Sequence, residues 1–399
     1  MPSQNIPRNI YLNEIKLLLG KDIVKVFRGI RGAGKSFLLN QMLDVINTRL
    51  DNATILHINK DSDTFKHIKS DSRLIKYIQQ KCKRSLGLVY LFIDEIQEIS
   101  NCKQALEYLL SEGRYDIYCA GDNISDSLFG SDELFKQFLI LPLSYSENLE
   151  FHELPNTMES FQLYLKYGGM PYMKNLTLKH DIVDRWLKRS MSNIFLKDVI
   201  EREKLRNIEF LERLIQYLGI NMGTLLTADK IQRALRSTSY KISEGLVHKY
   251  IGYLEEADFI MGVKRVNVKT RKIMSGRGKY YFTDIGMRNS SIGYSYLETK
   301  QSLENLVYLE LIRRKYEVKV GQLKEGKLLD FVCERGDERL YVQVEMDIDY
   351  DPAYERGKAA IAEAPNDGEK LLLALKGVGN ERRVDDVGVR NIMSFLRDG

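Results

Sequence analysis

The chain has 399 residues, of which 44% are hydrophobic, and a formal net charge of +5. This length accommodates two to four domains, and this composition supports packed cores, so we expect a globular protein. No apolar run approaches the ~20 residues of a membrane-spanning helix, and the N-terminus lacks the apolar core of a signal peptide. We therefore expect no membrane span and a cytoplasmic location.

The four cysteines are far apart in the sequence, without CxxC spacing and with few histidines nearby, at Cys82, Cys102, Cys119 and Cys333. This spacing argues against a zinc site and against disulfides. We expect buried free thiols, which pack as small apolar side chains.

Positive charge is concentrated in the middle of the chain. Residues 201–292 carry 17 Lys and Arg against 10 Asp and Glu, whereas residues 1–200 carry 26 against 24 and residues 293–399 carry 17 against 21. No acid occurs in residues 259–283, where the basic residues are Lys264, Arg265, Lys269, Arg271, Lys272, Arg277 and Lys279. This run predicts an anion-binding surface for a nucleic-acid backbone; a solvated basic hairpin without a ligand is the alternative.

In chain order, the first predicted elements are a helix over residues 9–19 and a buried strand over residues 24–27. The strand leads into residues 29–36, which read G-I-R-G-A-G-K-S, and then into a helix. A strand, a glycine turn and a helix in this order predict a phosphate-binding P-loop.

In a P-loop, glycines let backbone amides curl around phosphate oxygens, and the helix N-terminus adds partial positive charge. Lys35 would reach the β and γ phosphates, and the Ser36 hydroxyl would ligate magnesium. The predicted cofactors are therefore ATP and Mg²⁺. The predicted nucleotide-binding residues are Gly29, Arg31, Gly32, Ala33, Gly34, Lys35, Ser36 and Phe37.

A second strand is predicted over residues 54–59, and a third over residues 88–95, which ends in Asp94 and Glu95. An apolar run that releases two carboxylates at its C-terminal end is typical of a Walker B segment in a parallel sheet. Asp94 is predicted to hold magnesium through water, and Glu95 to orient and activate the attacking water.

A fourth strand is predicted over residues 115–120, and a last strand of this sheet over residues 138–141. A polar side chain just after the fourth strand could contact the γ phosphate or the attacking water. Asn123 is predicted for this sensor role, with Asp122 as the alternative, and a plain turn is open for both. The predicted catalytic set is Lys35, Glu95 and Asn123.

Four motifs of this chain resemble a large bacterial and archaeal group of AAA-type ATPases that carry a C-terminal domain of unknown function. These motifs lie at residues 94–97, 141–147, 167–171 and 279–286. The resemblance spans nearly the whole chain and implies an AAA-type ATPase.

Two positions depart from that group. Cys102 stands where its members usually have a tryptophan, which is a packing change. Residues 131–138 contain no arginine, although the group commonly has one there, placed like an arginine finger. Lys136 is the nearest cation and lacks the bidentate guanidinium fork. Slow turnover or nucleotide-dependent switching is therefore a live alternative to fast hydrolysis.

The pattern predicts four domains: a P-loop ATPase domain over residues 1–150, a helical connector or lid over 151–204, a winged-helix domain over 205–293 and a nuclease-like domain over 294–399. Three helical stretches and a basic β-hairpin predict the winged helix. Its third helix offers Lys241, His248 and Lys249 as exposed candidates, and residues 264–279 form the basic wing. Double-stranded DNA and a protein partner are both open, since many winged helices only mediate protein contacts.

The C-terminal order of helix, hairpin, helix and strand is similar to the PD-(D/E)xK nuclease core. That family gathers acidic residues and a lysine to bind magnesium and activate water. Glu304, Asp330 and Gln343 match three of its positions, but Glu345 stands where the lysine should be. These four residues form a candidate degenerate nuclease site. An inactive fold is favoured, while an altered metal site stays open because Gln343 and Glu345 share a strand face.

The predicted fold class is a multidomain α/β protein with a parallel-sheet P-loop core, a winged helix-turn-helix and a PD-(D/E)xK-like domain. The predicted function is an ATP-binding, Mg²⁺-dependent ATP-hydrolysing switch coupled to the winged helix. The alternatives are a nucleotide-regulated DNA-binding or defence protein without significant turnover, and an active metal-dependent nuclease. A homo-oligomer is a further candidate partner state.

Overall fold

The computed structural model describes residues 6–50, 53–85, 87–124, 126–130, 132–176, 180–203, 205, 207–236, 242–295, 299–349, 352–379, 382–384 and 386–398. The chain forms two compact units. The first contains Met1–Pro142 with Glu256–Asp258, and the second contains Leu143–Glu255 with Phe259–Gly399. No helix among the described residues is long and apolar enough to cross a membrane.

The first unit is a parallel sheet with helices on its two faces. Its elements are α1 (Asn9–Lys16), β1 (Val24–Arg28), α2 (Lys35–Arg49), β2 (Thr54–Asn59), α3 (Asp71–Lys81), β3 (Val89–Asp94), α4 (Cys102–Ser111), β4 (Tyr115–Ala120), α5 (Asp126–Phe129) and β5 (Phe135–Leu139). The five strands lie in the order β2-β3-β4-β1-β5, and every neighbouring pair is parallel. The parallel P-loop core predicted from the sequence is confirmed.

Successive side chains of β3 pack into two different apolar clusters, one on each face of the sheet. Leu91 and Ile93 belong to one apolar cluster with side chains of α3 and α4. Tyr90 and Phe92 belong to the opposite cluster, with side chains of α1 and α2. Every residue of β3 is buried, which is why its sequence is a continuous apolar run rather than an alternating one.

One strand of this unit differs from its predicted position. β5 begins at Phe135, whereas the sequence predicts its start at residue 138. Phe135 pairs with Val24 of β1 and stacks on Phe129 at 4.7 Å between ring centroids. The sequence did not predict this extension because Lys136 and Gln137 are polar and interrupt the apolar pattern. Such residues are tolerated here because β5 is an edge strand, where side chains can face solvent.

The second unit begins with helices and ends in a mixed sheet. Its elements are α6 (Tyr145–His152), α7 (Met158–Tyr167), α8 (His180–Ile194), a π-helical segment (Phe195–Glu201), α9 (Ile208–Ile220), α10 (Ala228–Leu235), α11 (Glu244–Glu256), β6 (Ile260–Asn267), β7 (Ile273–Phe282), α12 (Ile285–Ile292), α13 (Thr299–Arg313), β8 (Glu317–Gln322), β9 (Leu328–Arg335), β10 (Glu338–Asp347), α14 (Pro352–Ala362), β11 (Glu369–Lys376), β12 (Arg382–Val384), β13 (Val387–Asn391) and α15 (Ile392–Arg397).

The basic hairpin joins the C-terminal sheet. Eight strands form this sheet in the order β12-β13-β11-β10-β9-β8-β6-β7. β6 pairs antiparallel with β7 and parallel with β8, where Arg265 lies opposite Val320. The sequence did not predict β8 or this pairing, because no local pattern specifies which strands of a chain become neighbours.

Three of the short motifs that carry the resemblance meet inside the second unit. The backbone amide of Gly169 donates to Asp284 at 2.8 Å, and the amide of Leu143 donates to the Gly169 carbonyl at 2.8 Å. A β-carbon on Gly169 would collide with the Leu143 carbonyl, and one on Gly286 would collide with the Tyr167 carbonyl. The glycines of these motifs therefore permit backbone-to-backbone packing.

Asp284 is buried at the centre of this contact. Its carboxylate also accepts from the backbone amide of Met287 at 2.9 Å, which caps the start of α12. Burial raises the pKa of Asp284 to about 6, although these amides and Arg313 act in the opposite direction. Asp284 and the motif glycines therefore join three separate stretches of the second unit.

Candidate functional site

The P-loop lies between β1 and α2, where the sequence placed it. Gly29, Gly32 and Gly34 have φ values of 146°, 85° and 98°, which L side chains rarely adopt. A β-carbon on Gly29 would also collide with the Ile140 carbonyl, so the loop passes directly against β5's end. The loop bends because glycine occupies each of these positions, and α2 begins at Lys35 immediately afterwards.

Arg8 contacts the backbone of the P-loop, and the sequence did not predict this contact. Its guanidinium donates to the carbonyls of Ala33 at 3.0 Å and Leu141 at 2.9 Å, and its side chain is buried. A buried arginine that bonds two separate loop carbonyls fixes their relative position. A lone arginine before the first helix gives no sequence signal for such a contact.

Lys35 folds back over the loop. Its ammonium nitrogen donates to the carbonyls of Gly29 at 2.9 Å and Ile30 at 3.1 Å, and to Asp122 Oδ1 at 2.5 Å. The other carboxylate oxygen of Asp122 lies 2.7 Å from the Arg31 guanidinium. Asp122 thus carries an ion pair to each of the two cations of the P-loop.

Asp94 lies at the C-terminal end of β3, beside the start of α2. The Ser36 side chain lies near its carboxylate. Burial raises the pKa of Asp94, while Ser36, His57 and Lys35 act in the opposite direction. Hydroxyl and carboxylate oxygens are ligands that Mg²⁺ prefers, so these two residues fit the predicted metal role.

Glu95 follows Asp94 in a left-handed conformation, with φ 56° and ψ 49°. Its carboxylate accepts from the Gln97 side-chain amide at 2.5 Å. Burial first, and then the negative charge of Asp122, raise the pKa of Glu95 to about 7; Gln97 and Arg31 oppose this rise. The left-handed residue ends the extended backbone of β3, and the Gln97 amide holds the Glu95 carboxylate in place.

The two sensor candidates at the end of β4 have different surroundings. Asp122 bonds Lys35, as described above, and Asn123 adopts a left-handed turn with φ 52° and is buried. Phe37 is partly buried in the first turn of α2. The structure therefore gathers Lys35, Ser36, Asp94 and Glu95 with Asp122 at one edge of the sheet, and the sensor role of Asn123 stays a prediction.

The candidate nuclease residues also come together, but two lysines lie among them. Lys279 Nζ is 2.5 Å from Glu304 Oε1 and 3.4 Å from Asp330 Oδ1, and all three side chains are buried. The Tyr281 hydroxyl donates to the same Glu304 oxygen. Glu304 and Asp330 outweigh the effect of burial and raise the pKa of Lys279, which keeps it charged.

Gln343 and Glu345 complete this cluster. The Gln343 side chain donates to Glu345 at 3.1 Å and accepts from the Asp330 amide at 3.3 Å, and Lys300 donates to Glu345 at 3.0 Å. Glu345 is 2% exposed, because α14 covers β10 at this residue. Among the described residues, no three His, Cys, Asp or Glu side chains are arranged to hold a metal ion.

The basic hairpin keeps most of its charge at the surface. The exposed basic residues are Lys264, Lys269, Arg271, Lys272 and Arg277. Arg271 pairs with Asp367, and Arg265 donates to Gln322 at 2.8 Å. Lys279 does not belong to this surface, because it is buried against Glu304.

The third helix of the predicted winged helix is α11. His248 and Lys249 are exposed on it, as predicted, while Val247 and Tyr250 pack inward. Lys241 lies outside the described residues. All four cysteines are buried free thiols, as the sequence predicts.

Two protein families match parts of the chain. Residues 21–149 match an AAA domain, and residues 158–298 match a domain of unknown function, DUF8612. An uncharacterized protein from Haemophilus influenzae is 30% identical over 362 residues, which cover 87% of this chain and 88% of that protein. An uncharacterized protein from Methanocaldococcus jannaschii is 31% identical over 330 residues, which cover 75% of this chain and 68% of that protein.

Solved structures give weaker similarities. A signal transduction ATPase with numerous domains and a tetratricopeptide repeat sensor, from Pyrococcus horikoshii, matches at 16% identity and a TM-score of 0.30, over 76% of this chain and 45% of that one. AMPPCP-bound DnaA from Aquifex aeolicus matches at 15% identity and a TM-score of 0.32, over 63% of this chain and 89% of that one. Scores this low support no argument about the present chain.

The parallel sheet, its P-loop and the AAA match define the first unit as an ATP-binding P-loop domain of the AAA type. The chain as a whole belongs to the family of the uncharacterized Haemophilus influenzae protein, with which it shares 30% identity over 87% of its length.

Proposed function

We propose that this chain is an ATP-hydrolysing, Mg²⁺-dependent switch of the AAA type. The observation that carries the proposal is the convergence of Lys35, Ser36, Asp94 and Glu95 at one sheet edge, beside a P-loop whose glycines have positive φ values. Each of these side chains has a distinct task in phosphoryl transfer.

In this proposal, the backbone amides of the P-loop and the Lys35 ammonium hold the phosphates. Ser36 and Asp94 hold Mg²⁺, which neutralises charge on the phosphate oxygens when it is bound. Glu95 orients the attacking water, and the Gln97 amide holds its carboxylate in place. Phe37 and the loop residues from Gly29 to Gly34 complete the nucleotide contacts, and Asn123 is the proposed sensor.

Turnover is expected to be slow. Residues 132–138, which precede Pro142, contain no arginine that could act as a finger, and Lys136 pairs with Glu14 at 3.8 Å. An arginine finger contributes about 10³ to 10⁵ in rate where it is present. The proposal is tested by measuring phosphate release from ATP with Mg²⁺, with and without duplex DNA, alongside particle size with and without ATP. Nucleotide binding without release in any condition would favour the ligand-only alternative.

A second candidate function is duplex DNA binding through a winged helix, which we propose for residues 205–293. Supporting it, Leu226 and Gly278 exchange backbone hydrogen bonds of 2.8 and 3.2 Å, which tie the segment between α9 and α10 to the hairpin. Exposed basic residues on the hairpin and on α11 supply the charge for phosphate contacts.

The hairpin charges are expected to set DNA affinity. A triple variant, Lys269→Ala with Lys272→Ala and Arg277→Ala, should bind duplex DNA more weakly, with a salt dependence reduced by about 2 to 3 in slope, because each phosphate contact contributes about 0.9. Fluorescence anisotropy with a labelled duplex over a salt series measures both quantities. The control is a triple variant with alanine at Lys66, Lys136 and Lys188, whose side chains are 65%, 52% and 59% exposed. It removes the same total charge from positions outside the hairpin. Equal losses in both triple variants would count against the hairpin.

We propose that the C-terminal nuclease-like domain, residues 294–399, is inactive. Its cluster of Glu304, Asp330, Gln343 and Glu345 already contains the ammonium groups of Lys279 and Lys300. A divalent metal would have to displace a buried, charged lysine that bonds two of the carboxylates. The residues present therefore do not fit the metal that an active nuclease requires.

Removing Lys279 is expected to convert this cluster into a metal site. In Lys279→Ala, Glu304 and Asp330 lose their cation, and a divalent ion can take its place. We expect Mn²⁺ to raise the Tm of this variant in the absence of nucleotide, and not to raise the Tm of the wild type or of Lys279→Ala combined with Glu304→Gln. Lys319→Ala, which also removes a lysine held by two glutamates, is the matched control. Metal-dependent cleavage by the wild type that Asp330→Ala abolishes would show an active nuclease instead.

A further inference from the structure

Asp122 is a buried acid beside the P-loop. It lies two residues after the end of β4 and is 3% exposed, and the Lys35 side chain beside it is 5% exposed. Its Oδ1 lies 2.5 Å from Lys35 Nζ, and its Oδ2 lies 2.7 Å from the Arg31 guanidinium. One buried carboxylate therefore neutralises both cations of the P-loop.

The donors of Lys35 are fully used. An ammonium group has three N–H donors, and those of Lys35 are directed to the Gly29 carbonyl, the Ile30 carbonyl and Asp122. A phosphate oxygen can bond Lys35 only by replacing one of these acceptors. The two carbonyls belong to the loop backbone itself, so Asp122 is the acceptor that can be exchanged by a side-chain movement.

This exchange brings like charges together. Asp122 and a phosphate chain are both anions, and in a partly buried site their repulsion is weakly screened by solvent. The repulsion grows with the number of phosphates that reach Lys35. Adenosine with a single phosphate would be affected least, because that group does not extend to the β and γ positions.

We propose that Asp122 is a specificity-determining residue that competes with the terminal phosphates of a nucleotide for Lys35 and Arg31, and so weakens ATP binding more than ADP binding. The inference rests on the proposed function, because it requires phosphates in the P-loop. In this role Asp122 raises the ATP concentration that is needed to occupy the P-loop, because ATP must displace the Asp122 carboxylate from Lys35.

The test is the affinity of ATP, ADP and AMP, measured by titration calorimetry on the wild type and on Asp122→Asn. The variant keeps the size of the side chain and removes its charge. We expect its ATP affinity to rise at least tenfold, its ADP affinity to rise less and its AMP affinity to stay within twofold. Asp132→Asn is the control, because Asp132 is a half-buried acid that lies 3.5 Å from Lys103, away from the P-loop.

The nucleotide dependence separates this role from a purely structural one. A variant that only loosens the fold would change all three affinities in the same direction, and Asp122→Glu, which keeps the charge, should retain the ATP-to-ADP ratio of the wild type. Should Asp122→Asn fail to fold, Asp122→Ser serves as a second neutral variant. Unchanged or uniformly lowered affinities in a folded neutral variant overturn the inference.

The experiment distinguishes failure of the Asp122 role from failure of the proposed nucleotide-binding function. If the wild type binds ATP and Lys35→Ala does not, while the neutral Asp122 variants behave as the wild type, only the role of Asp122 is wrong. If no form of the chain binds any nucleotide, including the neutral variants, the proposed function fails and the inference fails with it. Binding by the neutral variants alone would support both.

Discussion

Replacing Lys35 by alanine is expected to lower ATP affinity by about 10²-fold or more, below detection in a standard titration. Lys35 is the side chain that the P-loop offers to the β and γ phosphates, and its Nζ already lies over the loop carbonyls of Gly29 and Ile30. A charge-assisted hydrogen bond to a phosphate contributes about 1.5 to 3 kcal/mol, and the substitution also leaves the Asp122 carboxylate without the Lys35 cation beside the phosphates, so we expect a change of this size.

The fold needs its own control in this experiment, because Lys35 is buried. Its removal leaves Asp122 without one of its two cations, and breaking a buried ion pair costs about 3 to 5 kcal/mol. We therefore expect a lower Tm as well, and Lys35→Ala combined with Asp122→Asn should recover part of this Tm while its ATP affinity stays well below that of the wild type. Lys136→Ala, at a 52% exposed lysine of the same unit, should match the wild type in both measurements. Wild-type ATP affinity in Lys35→Ala would refute the nucleotide site.

The candidate nucleotide site could be predicted from the sequence because its signals are local. The P-loop is one contiguous stretch, and Asp94 and Glu95 directly follow an apolar strand whose every residue is buried. Parallel strands bring their carboxyl ends to one edge of the sheet, so these separate stretches had to meet. The positions of Lys35, Ser36 and Asp94 followed from that rule.

The ion pairs of the site could not be predicted in the same way. Lys35 and Asp122 are 87 residues apart, and Lys279 and Glu304 are 25 apart on a strand and a helix. A count of charges along the sequence cannot distinguish an exposed lysine from a buried lysine that pairs with a distant carboxylate. For this reason Lys279 was placed on a basic surface by sequence and lies in the interior instead.

For the second unit, the sequence predicted several helices and strands, but it did not predict how the strands pair. A C-terminal hairpin was predicted after a helix, and β9 and β10 form it in the structure. The parallel pairing of β6 with β8, which places the basic hairpin in the same sheet, was not predicted. Sheet order depends on contacts between distant segments, and an apolar strand pattern is compatible with many neighbours.

Replacing Glu95 by glutamine is expected to stop ATP hydrolysis while leaving ATP binding within a few-fold of the wild type. Glutamine keeps the length and shape of the side chain, and its carbonyl oxygen can still accept from the Gln97 amide that holds Glu95 at 2.5 Å. It cannot accept a proton from the attacking water. General-base catalysis contributes about 10² to 10⁴ in rate, so phosphate release should fall by that factor.

Glu98→Gln is the matched control, because Glu98 is an exposed acid in the same turn and should keep wild-type turnover and affinity. Phosphate release under saturating ATP and Mg²⁺, together with a separate ATP titration, distinguishes loss of chemistry from loss of binding. Wild-type turnover in Glu95→Gln would assign the base to another residue. If the wild type itself binds ATP and releases no phosphate, the ligand-only alternative holds, and Glu95 then has no hydrolytic role for the substitution to remove.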